Sequence, residues 1–167
     1  DLWQFLLERF KFTLKESQKS SYDHVDAVLA IVHEQSTFLD LSLRVKALDA
    51  LMEGQDGQNL LVAYKRASNI LRIEEEKDQQ SYKGLVAEEV LQASEEKDLF
   101  SALQTQSVQI QDLVNQRNFL KAVQNLGTLR FPVDQFFDKV VVNTEDQKLR
   151  SNRLHLLALL RKTLHQV

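Results

Sequence analysis

The sequence predicts an all-α fold, a bundle of about eight or nine helices. Gly and Pro, which tight turns favour, occur only four times and once among the 167 residues. Hydrophobic residues make up 43% of the chain, enough for a core, and they recur at spacings of three and four along most of it. Both observations indicate long helices joined by few loops.

The first half of the chain is predicted to hold five helices, and each is bounded by polar or turn-forming residues. Ser21 is the expected cap of the second helix. The clearest break in the chain is the stretch 54–57, in which Asp56 is the expected cap of the fourth helix. The charged stretch 74–80 is interpreted as a solvated loop. The five predicted ranges are 2–16, 22–33, 39–53, 57–73 and 82–92.

The second half is predicted to hold four more helices. Ser94, ahead of two glutamates, is the expected cap of the first, and Pro132 suits the opening turn of the third. Thr144 and Gln147 have the spacing of a capping box for the last helix. That helix is leucine-rich on most sides, which is typical of a helix at the centre of a bundle. The four predicted ranges are 94–113, 116–127, 132–142 and 145–165.

Composition limits the possible function classes. Without Cys, the chain has neither a disulfide framework nor a thiolate metal site. No apolar run approaches the roughly 20 residues that a membrane span needs, so we expect no membrane partner. The formal net charge of −3 argues mildly against nucleic acid, and we expect no DNA partner, because phosphate contacts dominate DNA affinity. A local basic patch can still coexist with an acidic total.

The residues show no pattern for catalysis or for metal binding. The four histidines form no H-E-x-x-H motif, and no glycine-rich phosphate loop is present. His24 stands beside Asp23 and Asp26, but neighbours one or two apart on a helix do not converge on a metal. The chain opens at Asp1 without an initiator Met, which indicates a domain cut from a longer protein. We therefore expect no catalytic residues, no metal and no cofactor in this chain.

Four ordered segments carry a family resemblance. The most specific, 131–160, contains Pro-Val-Asp-Gln-Phe-Phe-Asp, a Val-rich end, Glu-Asp and Arg-Ser-Asn-Arg-Leu before the leucine-rich helix. It resembles the closing segment of glycyl-tRNA synthetase beta subunits. The departures are Val141 and Asn143, where members of that family usually have Met. The other matching segments are Tyr-Asp-His-Val-Asp-Ala-Val-Leu-Ala at 22–30, Arg-Val-Lys-Ala-Leu at 44–48 and Lys-Arg-Ala-Ser-Asn-Ile-Leu at 65–71.

The resemblance implies a C-terminal anticodon-binding domain of the DALR type, related to that of arginyl-tRNA synthetase. It implies an extension over 1–55 and the anticodon-binding bundle over 56–167. The parent enzyme would be a glycine–tRNA ligase of alpha and beta subunits that uses ATP and Mg at a class II site on alpha. The implied partners are tRNA(Gly) and the alpha subunit. The implied location is the bacterial cytoplasm, or an organelle for a plastid protein.

Anticodon bases are unstacked, and proteins read them by hydrogen bonds and by stacking, with Lys and Arg on the phosphates. The best candidates are Lys65, Asn69 and Arg72, which share a helix face at i, i+4 and i+7, with Arg66 beside them. Asn can read a base edge, and Arg can pair with phosphate or stack. The alternative is a solvated helix face on which Arg66 pairs with an acidic neighbour.

Two further groups are weaker candidates. Arg150, Asn152 and Arg153 open a helix that must be buried, so a structural pairing with carboxylates is the stronger interpretation. Arg130 and Phe131 precede Pro132, where the ring can stack on a base or staple the helix.

Two rival functions remain open. A helical protein-interaction module would suit the acidic total, and another synthetase, such as the arginyl enzyme, could supply a similar anticodon-binding domain.

Overall fold

The computed structural model describes residues 2–18, 25–26, 28–29 and 37–167, and all the regular structure in these ranges is helical. The all-α class is confirmed, whereas the expected count of eight or nine helices is slightly too high for the described ranges. The α-helices, in chain order, are α1 (Leu2–Gln18), α2 (Phe38–Glu53), α3 (Gln55–Asp78), α4 (Ser94–Asn115), α5 (Phe119–Gly127), α6 (Arg130–Lys139) and α7 (Gln147–Leu164).

Helix α7 lies at the centre of the main core, as its leucine-rich sequence predicts. Its leucines at 154, 156, 157 and 160 are fully buried, and the helix packs against both α3 and α4. A second cluster joins α1 to α2 through Leu14, Leu41 and Val45. A third joins α2 to α5 through Ala47 and Phe119. The N-terminal helices therefore have a small core of their own and a contact with the main bundle.

Polar contacts reinforce the junction between α2 and the bundle. Arg44 donates to the Val167 carbonyl oxygen over 2.8 Å, and its guanidinium lies 4.5 Å from the ring centre of Phe119. Arg117, on the loop after α4, lies 3.0 Å from the Asp40 carboxylate. Residues expected to form an extension thus contact the α4–α5 junction and the last residue of the chain.

Several helix starts differ from the expected ones. The capping box predicted at Thr144 and Gln147 is wrong, because the Asp146 side chain accepts from the N–H groups of Lys148 and Leu149 at 3.0 and 3.1 Å. Asp146 is the last residue with extended backbone before α7, so its carboxylate faces the open N–H groups.

Two other predicted caps lie inside their helices. The residue before α4 is Ala93, so Ser94 is already helical, and the Glu96 carboxylate accepts from the Ala93 N–H. Gly54 precedes α3, which places Asp56 in the first turn. Pro132 is the third residue of α6 and needs no N–H partner there. Ser21, His24 and most of the helix predicted over 22–33 lie outside the described residues.

The solvated loop predicted over 74–80 is wrong for most of its length, since α3 continues to Asp78. Glu74 is buried and forms an ion pair with Arg150 of α7. A partner 76 residues away cannot be inferred from local charge.

The helix predicted over 82–92 is also wrong: this segment holds only a 3₁₀ turn, Glu88–Val90. The Asn152 side chain accepts from the Ala87 N–H at 2.8 Å and donates to the Ala87 carbonyl at 3.0 Å. Gly84 lies against the His155 ring so closely that an added Cβ would be 3.1 Å from two ring atoms. Contacts with α7 therefore replace the hydrogen bonds that a helix would make.

Gly57, in the first turn of α3, lies very close to the end of α2. A Cβ on buried Gly57 would lie 2.0 Å from the Leu51 carbonyl oxygen, so Gly57→Ala must displace backbone. We expect it to lower the free energy of unfolding, measured with urea, by about 1–3 kcal/mol. The control is Gly127→Ala, whose Cβ would meet no atom within 4 Å and should raise stability by about 0.4–1 kcal/mol. Equal stability of the two variants would contradict the close contact.

Candidate nucleic-acid interface

One face of α3 carries the first group of predicted RNA-contact residues. Lys65, Asn69 and Arg72 are all exposed, in agreement with their spacing, because the opposite face of α3 is buried through Ala67 and Leu71. The buried face fixes the rotation of the helix. The polar side chains must therefore point to solvent.

The cations on α3 differ in their partners. Arg72 lies 3.1 Å from the Glu76 carboxylate and also donates to the Asn69 side-chain oxygen at 3.1 Å. Lys65 and Arg66 form no ion pair with any carboxylate of the described residues. Their charges are therefore available to an anionic ligand, while that of Arg72 is largely compensated.

Arg66 lies beside this face and contacts α6. Its guanidinium carbon is 4.4 Å from the ring centre of Phe137, in cation–π geometry. Phe137 is 9% exposed and belongs to the main core. The contact gives an exposed arginine a defined orientation, which raises its capacity to stack on a ligand.

A groove of about 470 Å³ runs between α3 and the end of α6, and we call it the α3–α6 groove. Five of its eleven lining residues are aliphatic, and two of these are well exposed: Ile73 is 44% exposed and Val141 is 69% exposed. The lining residues are Arg66, Ile70, Ile73, Glu74, Phe137, Asp138, Lys139, Val140, Val141, Val142 and Asn143.

One wall of the groove is the non-helical segment 140–143, which we call the strap. Arg153 donates to the Val141 carbonyl at 2.7 Å, and Arg150 donates to the Asn143 side-chain oxygen at 3.0 Å. The Asn143 side chain in turn donates to Glu74 at 2.8 Å. Two arginines of α7 therefore hold the strap against the bundle.

The second predicted group, Arg150, Asn152 and Arg153, lies in the interior. All three residues are at most 9% exposed. Arg150 pairs with Glu74 and Asp78, and Arg153 pairs with the fully buried Glu96. Because these donors already have protein partners, we no longer place the group among the RNA-contact candidates.

Arg130 and Phe131 stand at the start of α6. Arg130 forms ion pairs with Asp56 and, at 3.4 Å, with Asp134, so two carboxylates offset its charge. Phe131 is 72% exposed and keeps a ring for stacking. Asp56 precedes Lys65 by nine residues, or about 13 Å along a helix axis. This group is therefore separate from the α3 face.

A wider cleft of about 630 Å³ lies between α3 and the end of α7. Tyr64 and His165 meet there, with 2.8 Å between the hydroxyl oxygen and Nε2. Burial, followed by the charge of Arg161, lowers the pKa of His165, so the imidazole stays neutral at pH 7. The two arginines of the lining, Arg72 and Arg161, pair with Glu76 and Glu75, so the cleft has no surplus positive charge for phosphate.

Neither Phe137 nor the strap was predicted as part of a site. Phe137 lies 71 residues after Arg66, and no local pattern connects them. The described ranges contain no group of three possible metal ligands and no helix long and apolar enough to cross a membrane.

Comparison with known proteins adds a family. A family model described as the DALR anticodon binding domain matches residues 60–167. The "Glycine--tRNA ligase beta subunit" of Rhodospirillum centenum is 45% identical over an alignment of 168 residues that covers 100% of this chain and 23% of that protein. The proteins of the same name from a Ruegeria species and from Dinoroseobacter shibae are 36% and 37% identical, over 100% and 98% of this chain and 24% and 22% of their own lengths. The chain thus spans about a quarter of these relatives.

Proposed function

The chain belongs to the family of DALR anticodon binding domains, and we propose from this that it binds tRNA through the anticodon stem-loop. The observation that carries the proposal is the pair Lys65 and Arg66, two exposed cations without carboxylate partners among the described residues. They stand on the helix that also exposes Asn69. The pair supplies charge for phosphates, and the amide can read a base edge.

We further propose that the domain acts within the beta subunit of a glycine–tRNA ligase, because three relatives over the full chain carry that name. Its ligand would be tRNA(Gly), and its partner an alpha subunit that carries out aminoacylation with ATP and Mg. In this proposal the domain itself is not catalytic. It positions the tRNA, and its place is the bacterial cytoplasm or an organelle.

The net charge of −3 bears on how the domain would bind. A protein with this charge does not attract RNA over its whole surface, so affinity must come from a local patch. Lys65 and Arg66 are adjacent, which concentrates two charges at one end of the α3–α6 groove. We therefore expect moderate affinity that depends strongly on these two residues.

The double variant Lys65→Ala/Arg66→Ala tests the proposal. With an RNA hairpin of the tRNA(Gly) anticodon stem-loop, we expect roughly tenfold weaker binding by fluorescence anisotropy. The negative slope of log affinity against log salt concentration should become shallower by about 1.4, since two phosphate contacts to single-stranded RNA are lost.

The matched control is Lys97→Ala/Lys121→Ala, which removes two exposed lysines from α4 and α5. This control should keep most of the affinity, and a hairpin with a changed anticodon should bind more weakly to the unaltered chain. Equal losses in the two double variants would move the RNA site away from α3. Equal, weak binding to both hairpins would count against anticodon reading.

A further inference from the structure

We propose that the α3–α6 groove holds one unpaired base of a single-stranded RNA loop, with Arg66 stacked against the base and the strap beside its edge. This inference rests on the proposed function, and it adds a binding place and a mode of contact. Two cations on α3 explain attraction to phosphate, whereas the groove offers a separate site for a base.

The surface chemistry of the groove suits the face of a base. Ile73 and Val141 expose aliphatic surface on its two sides, at 44% and 69% exposure. Burying such surface against a flat ring is favourable and needs no sequence-specific partner. Proteins that bind single-stranded RNA combine stacking surfaces of this kind with a nearby positive charge.

Arg66 provides a planar group at the edge of the groove. The Phe137 ring, 4.4 Å from the guanidinium carbon, supports that plane. No carboxylate of the described residues pairs with Arg66, so stacking on a base would break no ion pair. An arginine already held against a ring loses little freedom when a base is added.

The charges around the groove favour a ligand with an anionic backbone. Arg66 and Lys139 line it, and Lys65 adjoins Arg66. Glu74 also lines it, but Arg150 neutralises that carboxylate by a buried ion pair. Asp138 is the remaining acidic residue of the lining, so positive charge is in excess.

The strap offers hydrogen-bonding groups for the edge of a base. Unlike a helix, it leaves backbone N–H groups unused: those of Val141, Val142 and Asn143 make no hydrogen bond among the described residues. Its position is nevertheless fixed, because Arg153 holds the Val141 carbonyl. A fixed segment with free donors can discriminate between bases, as edge contacts in RNA loops do.

A double-mutant cycle between protein and RNA tests this inference. The RNA is the tRNA(Gly) anticodon hairpin, with each loop base in turn replaced by an abasic site. The protein variant is Val141→Asp, which puts a charge in the groove without disturbing the core. The matched control is Val108→Asp on α4, since Val108 is 65% exposed and lies outside the groove.

We expect one abasic position to weaken binding to the unaltered chain about tenfold, the usual effect of losing one stacked base. Removing the base at the same position should hardly change RNA binding by Val141→Asp, whereas Val108→Asp should respond like the unaltered chain. Arg66→Lys should lose most of the base effect while keeping the salt dependence, because it retains the charge and loses the plane.

Additive effects of the abasic sites and Val141→Asp would overturn the groove as a base site. In that case Lys65→Ala/Arg66→Ala would still weaken binding, and the proposed function would stand. If the unaltered chain binds no hairpin, the proposed function fails and this inference fails with it. The two failures are therefore distinguishable in one set of measurements.

Discussion

Replacing Arg150 with Met is expected to lower the free energy of unfolding by about 3–5 kcal/mol, the usual effect of breaking a buried ion pair from one side. Arg150 is 7% exposed and pairs with Glu74, which is itself 5% exposed, and with Asp78 at 2.6 Å. Met fills similar volume, but it leaves the Glu74 carboxylate buried without its cation. The uncompensated charge, and not the lost contact, causes most of the effect.

Urea unfolding followed by circular dichroism measures this loss. The control is Arg72→Met on α3, the helix that carries Glu74; it breaks the exposed pair with Glu76 and the exposed hydrogen bond to Asn69, and the ion pair should account for about 0.3–0.5 kcal/mol. Adding Glu74→Gln to Arg150→Met should recover part of the stability, since the buried charge is then gone. Similar losses in Arg150→Met and Arg72→Met would contradict the account.

Acidification gives the Arg150 prediction a second readout. Hydrogen bonds from Asn143 and then from Arg150 lower the pKa of Glu74 below its ordinary value of 4.5. A group whose pKa is lower in the folded state stabilises the fold above its ordinary pKa, and the effect is lost as pH falls through the folded value. The stability gap between the unaltered chain and Arg150→Met should therefore be full at pH 7 and narrow below pH 4.5.

Sequence periodicity predicted the helices whose signals are local. The start of α1, the end of α2 and the end of α5 all follow from apolar spacing and from the break before α3. The helix predicted over 82–92 was wrong because the backbone of this segment bonds to Asn152, which lies 65 residues from Ala87. The continuation of α3 to Asp78 was not predicted for the same kind of reason, because Glu74 has its partner on α7.

In the candidate site, too, local spacing predicted which side chains share a face but not which partners they have. The spacing of Lys65, Asn69 and Arg72 predicted a shared face, and the structure has that face exposed. Whether a given cation is compensated depends on its neighbours in space. The leucine-rich sequence of α7 favoured the buried pairing that Arg150 makes with carboxylates. No local pattern predicted that Arg66 would lie against Phe137, which is 71 residues away.

Glu96→Ala is expected to lower the free energy of unfolding by about 3–5 kcal/mol, again by leaving one partner of a buried pair unmatched. The Glu96 side chain is fully buried, and it forms an ion pair with Arg153. It also accepts from the N–H groups of Gln92 and Ala93 at 2.9 and 2.7 Å, which closes the start of α4. One substitution therefore removes a helix cap and leaves the buried Arg153 guanidinium without its carboxylate partner.

The neighbouring Glu95→Ala is the matched control, because Glu95 lies in the same first turn and accepts from the hydroxyl of exposed Ser94 without a buried ion pair. It should lose far less stability in urea unfolding. Glu96→Gln should fall between the two, since its amide oxygen can still accept from the Ala93 N–H.

Without Glu96, Arg153 has no carboxylate to fix it while it holds the Val141 carbonyl at 2.7 Å. Glu96→Gln should therefore also weaken hairpin binding while leaving its salt dependence unchanged. A variant that is destabilised but binds RNA normally would show that the strap keeps its position without the Glu96–Arg153 pair.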